Sequence, residues 1–143
     1  MKSAESGIHF HVQIVNRTFP EKGVLRFDHQ ISNAGGGMNL KSGVFTAPKA
    51  GIYFFSFSIA KDGYNVAAIT VSLRLNKWKI GTSYVGGFGV GFGAAPTTIQ
   101  ATLKLKEGDQ IDLLKSSSGA VDSSKEYTNH FTGWLLQVLD ESE

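Results

Sequence analysis

The stretch Ile52-Tyr53-Phe54-Phe55-Ser56-Phe57-Ser58-Ile59 decides the fold. Turn chemistry bounds it on both sides: Pro48-Lys49-Ala50-Gly51 before and Lys61-Asp62-Gly63 after. A run of aromatic and β-branched residues between two such turns predicts a strand. Successive side chains on a strand point to opposite faces. Tyr53, Phe55, Phe57 and Ile59 therefore share one face, while Ile52 and Phe54 lie on the other. Phe131-Thr132-Gly133-Trp134-Leu135-Leu136-Gln137-Val138 is likewise apolar on both faces. In an isolated two-sheet sandwich the outward face of each sheet meets water. Two central strands with two apolar faces imply a second burial surface, and self-association is the simplest candidate.

Strand signals continue in both directions. Ile8 to Ile14 alternates, with Ile8, Phe10, Val12 and Ile14 on one face. Val24 to Phe27 reads as a short second strand, and Asn33-Ala34-Gly35-Gly36-Gly37 as a loop or bulge. Gly43 to Phe45 is a brief strand. Ala67 to Leu75 alternates again, with Ala67, Ile69, Val71, Leu73 and Leu75 toward a core and Thr70, Ser72, Arg74 and Asn76 toward water. A hairpin through Asn76-Lys77 leads to Trp78 and Ile80. A glycine-rich loop, residues 86–93, is closed by Pro96. Thr97 to Leu105 is expected to bury Ile99, Ala101, Leu103 and Leu105. After the turn Glu107-Gly108-Asp109 come the strands Ile111 to Leu114 and Asn129 to Leu139, separated by the polar loop 116–125. About ten short strands at this spacing predict an all-β sandwich or jelly roll. No repeat of about 20–50 residues is visible, so residues 8–139 form one domain. Residues 1–7 are a polar leader and 140–143 an acidic tail.

Composition narrows the function. The chain has 143 residues, 41% hydrophobic and 18% charged, with 17 glycines and a net charge of +2. That charge is too small to imply nucleic acid as a partner. Without cysteine there are no disulfides, no cysteine-ligated zinc and no thiol catalysis. No apolar run approaches the roughly 20 residues of a membrane-spanning helix, so no membrane insertion is expected. The opening residues do not read as a signal peptide. That leaves a cytosolic protein, or a domain excised from a longer secreted parent. The glycosylation triplet Asn16-Arg17-Thr18 favours the second.

The spacing of several anchors carries a resemblance. Phe27 is followed after five residues by Asn33, after four by Met38, after six by Phe45, and after five by Gly51-x-Tyr53-x-Phe55-x-Phe57. This pattern resembles the complement C1q globular domain, with Met38 standing where an aromatic or Leu is usual. Leu103-x-Leu105-x-x-Gly108-Asp109 and Tyr127-x-x-x-Phe131-x-Gly133-x-Leu135-Leu136 are similar to the family's later strands. The resemblance implies a ten-stranded, two-sheet jelly roll of the C1q and tumour necrosis factor type, assembled as a homotrimer. It implies a secreted recognition module in which the strands holding Tyr53 and Phe131 belong to the sheet around the threefold axis. Tyr53, Phe55, Phe57, Phe131, Gly133 and Leu135 are thereby expected at the core or trimer interface.

Catalysis finds little support. Residues 86–93 do not form Gly-x-Gly-x-x-Gly, there is no Gly-x-Ser-x-Gly elbow, and the four histidines lack zinc-protease spacing. His9 and His11 share a strand face and could gather a metal around a threefold axis, but the reading preferred is interface histidines, with no metal site. Some relatives hold calcium through carboxylates between the strands corresponding to 78–84 and 97–105. Here that loop has no Asp or Glu, and calcium prefers anionic oxygens, so no cofactor is expected.

Two readings stand for Tyr84, Phe88 and Phe92: a recognition surface for sugars or protein anchors, or rings packed under the loop or on the trimer axis. Lys77, Trp78 and Lys79 are either a patch for anionic partners or ordinary solvated turn residues. The function expected is a trimeric binding head for a glycan or a cell-surface protein, of the innate-immune pattern-recognition kind. The alternatives are a receptor-binding cytokine-like ligand and a structural trimerisation head of a matrix protein.

Overall fold

The computed structural model describes residues 7–16, 19, 21–61, 67–86, 95–121 and 129–140. All its regular elements are strands: β1 (His9–Ile14), β2 (Gly23–Val24), β3 (His29–Ala34), β4 (Met38–Asn39), β5 (Val44–Thr46), β6 (Gly51–Lys61), β7 (Ile69–Leu75), β8 (Trp78–Val85), β9 (Ala95–Leu105), β10 (Gln110–Lys115) and β11 (Asn129–Val138). They form two antiparallel sheets, one ordered β3-β1-β11-β6-β9 and the other β4-β5-β10-β7-β8, with β2 beside β10. No helix among the described residues is long and apolar enough to cross a membrane.

Alternation drives the layering. β1 buries Phe10, Val12 and Ile14, β6 buries Tyr53, Phe55, Phe57 and Ile59, and β11 buries Phe131 and Leu135. These side chains meet Phe45 of β5, Ile69, Val71 and Leu73 of β7, and Ile111 and Leu113 of β10, contributed by the other sheet. The centre is aromatic: Phe10 lies 5.1 Å from Phe45 and 4.9 Å from Phe131, and Tyr53 stacks on Phe55 at 6.0 Å. Each such ring, fully buried, contributes roughly 1.5–3 kcal/mol from apolar area alone. Gly133 makes this packing possible, since a Cβ there would stand 2.5 Å from Phe10 and 2.7 Å from Phe55.

Several local expectations need correction. His29–Ala34 is a full strand, and the glycines after it make a turn. Its side chains are mostly exposed, so no alternating apolar signal marked it. The strand expected over Val24 to Phe27 pairs only at Gly23–Val24, although Leu25 and Phe27 are buried. Ala67 precedes its strand. Ser72 and Arg74 do not face open water: Ser72 Oγ bonds Thr82 Oγ1 at 2.8 Å, and Arg74 grips Asp112 at 2.7 Å through both Nε and Nη2. Ile99, Ala101 and Leu103 are half-buried because β9 is the edge of its sheet.

Candidate functional site

The two outward faces differ in what they offer. On the five-stranded sheet, the inward residues named above leave the intervening ones pointing out. Strand register aligns them in three rows: His9–Trp134–Phe54–Thr102, His11–Thr132–Ser56–Gln100 and Gln13–His130–Ser58–Thr98. Tyr53, Phe55, Phe57, Phe131, Gly133 and Leu135 lie inside a single chain, so none of them presents a side chain on this face. Their neighbours, which the sequence marked as a second apolar face, hold the outward positions. Trp134, 42% exposed, packs on Phe54 with ring centroids 4.7 Å apart. Exposed Leu136 lies in the β11 bulge beside the apolar end, and Lys104 stands beside Ile52 at its rim. A groove of about 480 Å³ runs between β1 and β11, lined by His9, His11, Ser32, Thr132 and Trp134 among others.

Histidines occupy the other end of this face. The His11 and His130 rings sit 5.3 Å apart, edge to face. Burial holds both imidazoles below the ordinary histidine range, and His11 adds to the effect on His130. His9 Nδ1 lies 3.3 Å from Ser32 Oγ. Among the described residues no group of three or more His, Cys, Asp or Glu side chains could hold a metal ion.

The outward face of the six-stranded sheet pairs its central polar groups within the chain. Its central feature is the two-pronged Arg74–Asp112 pair, and that hydrogen bond raises the guanidinium above its ordinary range. Tyr84, opposite Thr70, and Lys79, opposite Arg74, lie on the edge strand β8. Trp78 is 77% exposed and Tyr84 66%. They stand at opposite ends of β8, about 20 Å apart at strand rise. The structure thus separates the candidate binding residues into two groups. Lys77, Trp78 and Lys79 gather at the β7–β8 hairpin, whose two turn residues, Asn76 and Lys77, have φ of 49° and 70°. Tyr84 lies at the end leading to residues 87–94, and Phe88 and Phe92 fall outside the described residues. Asn16 is exposed, with its amide N–H donated to Asp28 Oδ2 at 2.9 Å.

Comparison with known proteins accords with this geometry. The human complement C1q tumor necrosis factor-related protein 3 is 26% identical over 132 residues, which is 92% of this chain. The chain spans 52% of that relative's length. Among solved structures, the globular domain of zebrafish complement 1qA protein superposes with a TM-score of 0.72 at 17% identity, over 92% of this chain and 99% of that one. The family model of the C1q domain matches residues 9–136. With the two-sheet jelly roll in place and the match running nearly end to end, the chain belongs to the C1q domain family.

Proposed function

We propose that this chain is the globular head of a secreted homotrimer that binds glycans or protein ligands by summing weak contacts over three copies. The observation that carries the reading is the outer face of the five-stranded sheet. It holds Phe54 and Trp134 side by side, with no carboxylate among its described residues. Depletion of charge around exposed aromatic rings is the signature of a face that meets another protein. A second copy of the chain is the occupant that membership of the C1q domain family supports.

Ligand contact then falls to what assembly leaves open: the Lys77-Trp78-Lys79 hairpin and Tyr84 on β8. An indole flanked by two ammonium groups suits the apolar face of a sugar bearing an anionic substituent. Repetition on three heads multiplies a weak contact through effective concentration. Calcium is not part of this proposal, because residues 86–94 between β8 and β9 contain no Asp or Glu. Neither is an enzymatic activity.

Likeness to a tumour necrosis factor-related protein favours a second reading, a receptor-binding ligand engaging the grooves between protomers. Glycan-array binding by the purified protein separates the two. Retention of sialylated or sulfated glycans, undiminished by EDTA and weakened by salt, supports recognition. A silent array together with saturable binding to a single cell-surface protein supports the receptor ligand.

A further inference from the structure

We propose that His11 and His130 form an acid-sensitive latch on assembly: neutral, they let a second copy cover the outer face of the five-stranded sheet, and protonated, they release it. The inference rests on the assembly reading above and adds a regulation to it.

His11 on β1 and His130 on β11 are diagonal neighbours, since register sets His11 opposite Thr132 and His130 opposite Gln13. Their rings touch edge to face at 5.3 Å, and His11 Nε2 is buried with no hydrogen-bond partner among the described residues. Among the described residues, the groups around them offer no counter-charge. β3 presents Ser32, bonded to His9, and His29 opposite Gln13. β6 presents Ser56 and Ser58, and β11 itself adds Thr132. Asp28, next to His29, spends its two oxygens on the Val15 and Asn16 amides at 2.8 and 2.9 Å. A proton taken up by either ring therefore meets no anion among the described residues, and a second proton meets the first.

Covering the face with another chain removes what water still reaches these rings. That deepens the burial that already favours the neutral form of each. The sign follows from linkage. The open chain already holds both imidazoles below the ordinary value of 6.5, and a covered state that buries them further binds fewer protons still. Assembly is therefore fully supported above that value and is lost progressively as pH falls below it. Threefold repetition presents three such pairs, which steepens the response.

The test is sedimentation velocity on the full chain at pH 7.5 and pH 5.0 at fixed ionic strength, with near-ultraviolet circular dichroism reporting the fold. Wild type is expected to be trimeric at pH 7.5. At pH 5.0 its dissociation constant should rise at least about tenfold, with the dichroism unchanged. The double variant His11→Gln with His130→Gln should stay trimeric at both, while Thr82→Gln, on the other sheet, should respond like wild type. Should the double variant fail to assemble, histidine ring NMR on wild type takes its place. Proton uptake at His11 and His130 must then coincide with dissociation. A trimer equally tight at both pH values overturns the latch and leaves the assembly reading standing. Dissociation of the double variant in step with wild type, or dissociation accompanied by loss of near-ultraviolet signal, also overturns it. A monomer at pH 7.5 overturns the assembly reading, and the latch with it.

Discussion

The outer faces of the two sheets are built from the same strand geometry and reach opposite solutions. On the six-stranded sheet the central polar groups are paired within the chain: Arg74 with Asp112, and Ser72 with Thr82. On the five-stranded sheet the corresponding positions hold Phe54, Trp134, hydroxyls and histidines, and the three central rows contain no Asp, Glu, Lys or Arg. The first face pairs its central polar groups as a monomer and leaves Tyr84 exposed at its edge. The second leaves the Trp134 ring 42% exposed and, among the described residues, an imidazole nitrogen without a partner. Side-chain satisfaction, more than hydrophobicity, tells the faces apart, and the function proposed above leaves one to solvent and ligand and gives the other to a copy of the chain.

The assignment breaks most readily by putting charge where the chain avoids it. Phe54→Glu with Trp134→Glu should raise the trimer dissociation constant at least about a thousandfold, about 4 kcal/mol, with the fold retained by circular dichroism. Thr82→Glu on the other face should leave the constant unchanged. Equal losses from both in sedimentation would erase the distinction. Next in size is Asp112→Ala, which strands Arg74, itself only 13% exposed. It should cost about 3 kcal/mol in urea unfolding and leave assembly alone. Smallest is Lys77→Gly. Lys77 adopts φ of 70° in a turn that favours glycine. The variant should gain about 0.5 kcal/mol in thermal unfolding. If it also loses glycan binding, the hairpin keeps its lysine for recognition at the expense of stability.

The anchors from Phe27 to Phe57 that made the family legible are structural. Phe27, Phe45, Tyr53, Phe55 and Phe57 are buried core, and Met38 fills the same core at 4% exposure. Asn33 closes the β3–β4 turn by donating to Met38 O at 2.8 Å, and Gly51 leaves room for Leu135 and the Gln137 carbonyl. Residues fixed by packing repeat at fixed spacing, so a single sequence reveals them. Trp134 and Phe54 were visible as the second apolar face, because alternation exposes them to inspection. The His11–His130 pair was not. Those residues lie 119 positions apart in the chain, and only the β1–β11 register brings them together. The separation of Trp78 from Tyr84 was equally hidden, since it depends on β8 running as one extended strand.

The chain's two tryptophans, Trp78 and Trp134, fall one to each region and serve as internal reporters. The most direct test is hydroxyl-radical footprinting of the protein at pH 7.5, at a concentration where it is assembled, with oxidation of each indole read by mass spectrometry. The account predicts that Trp78 is oxidised freely while Trp134 is protected, and that Trp134 becomes reactive on dilution to monomer. Protection of Trp78 with Trp134 left reactive, or equal oxidation of both at every concentration, would contradict it.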